Sequence, residues 1–288
     1  MRLIPRLAPC LGLAAAGLCL LPSCSIPGGA AWSDLHANGF VSVFPAQVGA
    51  TANDISVDDT SGSGINFRGD LAVDDATETA FFYGARGGFA PFELVVSEFG
   101  YNGASSGLAS GGVVFRGVTL PVADTLAANV DLDMNITKLA LGIDLFNSPV
   151  ARVGVLVGVD FFQFDRFVAS AAESKSLLGT EVISVGDTQN ILINESAPLP
   201  LIGVRGDLQA PFGMRFGAEI TGISASFDDA DISLTDIDIN ANYEAWENIE
   251  VVVGYRILDV SLDGEIAGTR LDATMDLTGP YFGVSLYW

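Results

Sequence analysis

The sequence predicts an all-β chain that folds into a transmembrane, antiparallel, up-and-down β-barrel, with ten strands as the best count and eight to twelve compatible with the pattern. Three observations predict this fold: apolar and polar residues alternate over many segments, tight turns join these segments in pairs, and the chain ends on an alternating aromatic segment. Hydrophobic residues make up 49% of the chain. Beyond the N-terminus, however, no apolar run reaches the roughly 18 residues of a transmembrane helix.

The first element, residues 1–24, is predicted to be an export signal. Arg2 and Arg6 supply a positive start, and an apolar stretch follows from Leu7 to Leu21. This order is typical of a signal peptide, which is removed from the mature protein and takes no part in its fold.

Two cleavage sites compete at the end of this signal. The segment Leu21-Pro22-Ser23-Cys24 resembles a bacterial lipobox, which makes Cys24 a candidate for lipidation. Cleavage after the small residues near Gly29-Ala30-Ala31 is the alternative. Residues 25–34 are then a linker, and residues 35–288 form the barrel.

Cysteine, histidine and charge restrict the chemistry of the barrel. The three cysteines, Cys10, Cys19 and Cys24, all precede it, which excludes a disulfide framework, a thiol nucleophile and a cysteine metal site from its strands. His36 is the single histidine. The formal net charge of −22 argues against nucleic acid as a partner. No catalytic residue, resident metal or cofactor is predicted.

Residues 149–164 show the alternation most clearly. One face is wholly apolar and consists of Ala151, Val153, Val155, Val157, Val159 and Phe161. The other face consists of Arg152, Gly154, Leu156, Gly158 and Asp160. A period of two predicts a strand, because successive side chains of a strand point to opposite faces.

The same pattern recurs along the chain and gives the strand count. Strands are predicted at about 36–46, 78–88, 91–102, 128–146, 150–166, 198–210, 213–227, 231–244, 249–263 and 270–288. Residues 65–73 also alternate and are an alternative to the first strand. An even number of strands places both termini on the same side of the membrane, predicted to be the periplasmic side.

The connections are predicted to differ between the two ends of the barrel. One set consists of turns of three to five residues, whereas the other set is mostly longer, at about 102–127 and 168–197. Short periplasmic turns and long external loops are expected of outer-membrane barrels. An aromatic girdle is predicted at the short-turn end, formed by Phe89, Phe92, Phe146, Phe212, Trp246, Tyr287 and Trp288.

Charged residues collect on the polar faces near the short turns. Six are basic and six are acidic: Arg86, Glu93, Lys138, Asp144, Arg152, Asp160, Arg205, Asp207, Arg215, Glu219, Glu250 and Arg256. A soluble barrel would bury the apolar face and wet the polar one. The balanced charges favour a membrane barrel instead, because charges in a closed lumen must be paired. The predicted lumen also contains Gly84, Gly142, Gly154, Gly158, Gly203, Gly217 and Gly254, which could leave room for water.

The last strand resembles the C-terminal signal of bacterial outer-membrane proteins. Phe282, Val284, Leu286 and Trp288 alternate up to the terminal aromatic residue. Residues 198–288 also resemble a broad group of uncharacterised outer-membrane β-barrel proteins, through 198–206 and Tyr255-Arg256-Ile257-Leu258-Asp259. The resemblance implies a cell outer-membrane location, contact with its lipid, and recognition by the barrel-assembly machinery. It also implies that an acidic stretch such as Asn66 to Thr77 is loop-like and precedes the second strand.

Three functions follow from these predictions. The first is a small barrel with a charge-filled, closed or narrow lumen, which has a structural or interaction role or passes small solutes. The second is ligand or cation binding at acidic clusters in the outer loops, namely Asp70, Asp74, Asp75 and Glu78, and Asp228, Asp229 and Asp231. The third, a hydrolase, depends on His36, which lies at the end opposite the external rim. The oligomeric state is not predicted.

Overall fold

In a computed structural model, the chain forms a barrel of ten long strands. The structure describes residues 36–57, 65–110, 114–115, 118–119, 126–171, 175–177, 180–183, 188–191, 195–227, 230–266 and 269–287. The barrel strands are β1 (His36–Val57), β2 (Ile65–Phe89), β3 (Phe92–Ser110), β4 (Leu126–Asn147), β5 (Ala151–Ala171), β6 (Glu195–Ala210), β7 (Met214–Phe227), β8 (Ala230–Trp246), β9 (Ile249–Ile266) and β10 (Thr269–Tyr287).

The sheet closes on itself through its first strand. Each barrel strand pairs antiparallel with the next, and β1 pairs with both β2 and β10. Val41, for example, lies opposite Tyr83 of β2 and opposite Val284 of β10. Full closure removes the free edges that an open sheet would expose. The predicted ten-stranded, antiparallel, up-and-down barrel is therefore confirmed.

The strands extend further from the short turns than the sequence predicts. The alternating segment 65–73 is the beginning of β2 and is not a substitute for the first strand. The acidic stretch from Asn66 to Thr77, expected to be loop-like, also belongs to β2 and pairs with residues 47–57 of β1. That expectation was wrong because backbone pairing continues where the acidic composition suggests a loop.

Short turns join the strands at one end of the barrel. They comprise Ala90-Pro91, the segment 148–150, a 3₁₀ turn at Pro211–Gly213, and the segment 247–248. Phe212 and Asn248 adopt positive φ angles of 67° and 66° in these turns. We call this end, where β1 also begins and β10 ends, the short-turn end.

Two of the five connections at the other end are long, at 111–125 and 172–194, while 58–64, 228–229 and 267–268 are shorter. The long connections include short strands at Val114–Phe115, Val118–Thr119, Lys175–Leu177, Thr180–Ile183 and Thr188–Ile191. The predicted asymmetry is therefore limited to these two connections. In the described part of the chain, no helix is long and apolar enough to cross a membrane.

The outer face of the barrel is apolar near the short turns. The alternation places Val153, Val157 and Phe161 of β5 outside, where 44–53% of each residue is exposed. The predicted girdle residues Phe89, Phe92, Phe146, Phe212 and Trp246 are exposed at the short-turn end as well. Tyr287 is partly buried. Trp288, the signal segment 1–24 with Cys24, and the linker 25–34 lie outside the described residues.

The core of the molecule is the barrel interior. Inward side chains from all around the sheet pack together there, among them Phe44, Met134, Leu199 and Leu277, which are completely buried. The interior is therefore filled by side chains, as a barrel of this small strand number allows.

Candidate functional site

The charged interior is the candidate functional site. Alternation positions it, because residues an even number apart on a strand point to the same side. Arg152 and Asp160 of β5, for instance, are eight residues apart, and both are buried inside the barrel. The structure places all twelve predicted lumen residues on inward faces, in two clusters, one rim pair and one isolated carboxylate.

The basal cluster lies nearest the short turns and consists of His36, Glu93, Asp144, Arg152, Arg205 and Asp207. Glu93 is its centre. Arg152 donates from Nη2 to Glu93 Oε2 over 2.6 Å, and Arg205 donates from Nη1 to Glu93 Oε1. His36 Nε2 lies 2.8 Å from Glu93 Oε2. One carboxylate of β3 thus holds side chains from β1, β5 and β6.

Two further carboxylates complete the basal cluster. Asp144 Oδ1 accepts from Arg205 Nη2 over 2.8 Å and lies 3.1 Å from Arg152 Nε. Asp207 lies 3.7 Å from Arg152 Nε. Each guanidinium therefore has more than one anionic partner, which is the condition under which buried charges are tolerated.

The central cluster lies further from the short turns and consists of Arg86, Lys138, Glu219, Asp236, Asp238 and Arg256. Lys138 of β4 donates from Nζ to Glu219 Oε1 at 3.1 Å and to Asp236 Oδ2 at 2.9 Å. Those carboxylates lie on β7 and β8. In the sheet, β5 and β6 separate β4 from β7. The lysine side chain therefore reaches across the lumen.

Two arginines complete the network of the central cluster. Arg256 grips Asp236 with two bonds of 2.8 Å, from Nε to Oδ1 and from Nη2 to Oδ2. Its guanidinium also lies over the rings of Phe82 and Phe99, at 4.2 and 5.0 Å from their centroids. Arg86 donates to Glu219 Oε2 over 3.1 Å. Bidentate pairing and ring stacking are the contacts that suit an arginine.

The inward glycines make room for large side chains. A Cβ at Gly142 would lie 2.7 Å from the guanidinium carbon of Arg205, and one at Gly254 would overlap the ring of Tyr281. At all seven predicted lumen glycines, another heavy atom lies closer than 3.0 Å to the Cβ position. The expectation that these glycines leave room for water is therefore wrong, because neighbouring atoms occupy the positions.

Three residues of the site were absent from the predicted set. His36, Asp236 and Asp238 join the clusters, so eight carboxylates, and not six, accompany the six lysine and arginine side chains. The predicted six-to-six balance is therefore wrong. The alternation of Asp236 and Asp238 with Ile237 and Ile239 indicates this inward placement, but the predicted set was restricted to charges near the short turns.

The remaining predicted residues fall elsewhere. Arg215 and Glu250 form the rim pair, at 2.6 Å. Phe282, Val284 and Leu286 of the predicted assembly signal are exposed on the outer face of β10. Asp228 and Asp229 lie outside the described residues. Among the residues that the structure describes, no group of three or more His, Cys, Asp or Glu side chains is arranged to hold a metal ion.

Comparisons with known proteins show the fold and no narrower family. No protein-family model matches the sequence, and no curated protein matches it. Among solved structures, the outer-membrane protease OmpT from Escherichia coli is similar with a TM-score of 0.56 and 13% identity, over 92% of this chain and 100% of that one. The translocator domain of the autotransporter NalP from Neisseria meningitidis has a TM-score of 0.34 and 13% identity, over 96% of this chain and 92% of that one. The similarity to OmpT, together with the closed ten-stranded sheet, shows that the chain has the fold of a bacterial outer-membrane β-barrel.

Proposed function

We propose that this chain is an outer-membrane barrel with a closed interior, which has a structural or interaction role and is not a wide diffusion pore. The observation that carries this proposal is the set of ion pairs that cross the lumen, above all the reach of Lys138 from β4 to Glu219 and Asp236. A porin, in contrast, keeps a polar, water-filled channel through the barrel.

The interior is blocked by two successive layers. Along β9, the inward side chains run from Glu250 through Arg256, which is charged, to Leu258, Val260 and Leu262, which are apolar and buried. Along β8, Asp236 is likewise followed by Leu234, which is 1% exposed. An apolar layer therefore lies on the loop side of the charged clusters, so that loss of one layer leaves the other in place.

Single-channel recording in planar bilayers tests the closed interior. We expect refolded wild-type protein to give no large, long-lived conductance steps. A general diffusion porin in the same bilayers shows that the assay detects open barrels. Frequent, stable steps from the wild-type protein would contradict the proposal and favour small-solute passage through a narrow lumen.

A variant with a shortened loop shows which part of the chain forms the block. Replacing residues 172–194 by a short Gly-Ser turn removes the longest connection but leaves the interior clusters intact. Because the described ion pairs lie between barrel strands, we expect this variant to remain closed. Conductance that appears only in this variant would show that the loop, and not the interior, is the block.

We propose that the chain is exported by its N-terminal signal and reaches the outer membrane with the short turns on the periplasmic side. The exposed Phe282, Val284 and Leu286 on β10, together with Trp288, would then present the assembly signal to the barrel-assembly machinery. Deletion of Trp288 should lower the fraction of heat-modifiable, folded protein in outer-membrane preparations. An unchanged folded fraction would argue against this signal.

A hydrolase is not proposed. His36, which is the single histidine, lies at the short-turn end and is engaged by Glu93 of the basal cluster at 2.8 Å. Loss of a measurable hydrolase activity in a His36→Ala variant that still folds would reverse this conclusion.

A further inference from the structure

Asp160 differs from the other interior carboxylates. It is 0% exposed, and neither of its carboxylate oxygens has a hydrogen-bond partner. On β5 it lies opposite Lys138 of β4 on one side and opposite Leu199 of β6 on the other. The next inward residue of β5 is Phe162, which is also buried. Asp160 thus stands where the charged interior meets the apolar layer.

The neighbouring lysine forms no ion pair with Asp160. An ammonium group has three N–H donors. Lys138 uses three of them on Glu219, on Asp236 and on the hydroxyl of Thr221, the last at 3.2 Å. Although Lys138 and Asp160 are direct cross-strand neighbours, the ammonium group is directed to the far wall of the barrel.

The other charged groups that face Asp160 are also engaged. They are Glu219 of β7, Asp236 of β8 and Arg256 of β9. Arg256 makes two bonds to Asp236 and stacks on two phenylalanine rings. Nη1 of Arg256 has no hydrogen-bond partner, but it does not donate to Asp160, whose two oxygens accept no hydrogen bond.

A comparison with the other interior carboxylates leads to the same residue. In the central cluster, the basic side chains pair with Glu219 and Asp236, and Asp238 Oδ1 accepts hydrogen bonds from Asn240 and Tyr281. In the basal cluster, Glu93 and Asp144 accept from arginines and Asp207 lies 3.7 Å from Arg152, while Glu250 of the rim pair accepts from Arg215. Among the described interior carboxylates, Asp160 is the one whose two oxygens are both buried without a hydrogen-bond donor.

We propose that Asp160 is a proton-binding site, a carboxylic acid that stays protonated and neutral inside the folded barrel. A buried, unpaired carboxylate is strongly unfavourable, and such a group takes up a proton instead. A bound cation fits less well, because Lys138 lies on the neighbouring strand and a single carboxylate provides few of the oxygen ligands that a hard cation requires.

This proton makes the stability of the barrel fall as the pH rises above about 4. An unfolded chain releases an aspartic acid proton at about pH 4. If the folded barrel keeps that proton, it binds more protons than the unfolded chain, and stability falls as the pH rises until Asp160 ionises. The ionised form adds a negative charge next to the apolar layer, where only incoming water could solvate it.

Infrared spectroscopy of the refolded, full barrel tests the proton directly. We expect the wild-type protein at neutral pH to show the carbonyl stretch of a protonated carboxylic acid, and the Asp160→Asn variant to lose that band. Asp236→Asn is the matched control and should keep the band, since both Asp236 oxygens accept hydrogen bonds from basic side chains. A wild-type spectrum without the band, or an unchanged spectrum in Asp160→Asn, overturns the proposal.

Stability gives a second, independent measurement. Asparagine mimics a neutral aspartic acid and cannot ionise in the unfolded chain, so Asp160→Asn should match the wild-type unfolding midpoint near pH 4 and exceed it at neutral pH, where only the wild-type chain releases a proton on unfolding. Asp236→Asn should lower the unfolding midpoint at both pH values. If Asp160→Asn fails to fold, or loses as much as Asp236→Asn, then Asp160 is ionised and paired, and the proposal is wrong. These outcomes do not depend on whether the barrel conducts.

Discussion

Single carboxylates hold distant strands of this barrel together. Glu93 joins β3 to β1, β5 and β6, and Asp236 joins β8 to β4 and β9. Backbone pairing alone links only neighbouring strands. Removal of one partner from such a network leaves the others buried without compensation, which costs more than the pair itself contributes.

Arg256 should therefore be among the residues most sensitive to substitution. Arg256→Leu removes both bonds to Asp236 and the stacking on Phe82 and Phe99. We expect a loss of about 3–5 kcal/mol in the free energy of unfolding, the usual result of breaking a buried ion pair. Urea unfolding of the refolded protein, followed by heat-modifiability on gels, measures it.

The same substitution at the rim is the control for Arg256. Arg215 pairs with Glu250 at 2.6 Å, but 17% of the arginine side chain is accessible to water. Arg215→Leu should cost less, because water can solvate the carboxylate that remains. Equal losses at the two sites, or unchanged heat-modifiability in Arg256→Leu, would contradict the inward assignment of the central cluster.

Strict alternation explains why the inward residues could be predicted and their partners could not. The period of two assigns Arg152 and Asp160 to one face from the sequence alone. It does not reveal that Lys138 passes over its neighbour Asp160 to reach Glu219 and Asp236. That choice depends on the register and curvature of the closed barrel.

The predicted strand limits agree best with the structure near the short turns, where contact with lipid would require an apolar outer face. Near the short turns, the predicted and observed limits of β7 differ by one residue. At the far end, β1 continues to Val57 and β2 begins at Ile65, although the sequence there is rich in Asp and Thr. Hydrogen bonding between strands continues beyond the apolar outer face. The strands therefore extend past the segments in which apolar and polar residues alternate regularly.

A row of like charges crosses three neighbouring strands at this far end. Asp263 of β9 lies directly opposite Asp231 of β8 and Asp272 of β10, and all three are exposed. Like charges on directly opposed residues destabilise a sheet by roughly 0.2–1 kcal/mol for each pair. Asp263→Asn should therefore raise the free energy of unfolding, as measured by urea denaturation at low salt.

Salt dependence distinguishes this repulsion from other effects of the substitution. Exposed charges are screened at high ionic strength, so the gain from Asp263→Asn should shrink when salt is added. Ser261→Asn is the control, because Ser261 lies opposite Ser233 and Thr274, which are uncharged. A gain in Ser261→Asn of the same size, or one insensitive to salt, would contradict the electrostatic explanation.

At the scale of the whole molecule, the strands are longer than a bilayer requires, so the barrel extends beyond its apolar outer face. A membrane-spanning strand needs about 9–11 residues, whereas the barrel strands contain 14–25 residues. On β9, the outward apolar residues run from Val251 to Ile257, and exposed Asp259 and Asp263 follow. The charged clusters are therefore surrounded by the apolar outer face, whereas the loop-side part of the barrel has a polar outer face.

Cysteine labelling can locate this boundary, because the chain after Cys24 contains no cysteine. In a Cys24→Ala background, Val253→Cys and Asp259→Cys place a thiol on the same outward face of β9, six residues apart. In lipid vesicles, a water-soluble maleimide should label Asp259→Cys quickly and Val253→Cys slowly, because lipid covers only the second site. Val252→Cys, which points inward and is buried, should react only after unfolding. Equal labelling at positions 253 and 259 would mean that the apolar face near the short turns is not the lipid-facing band.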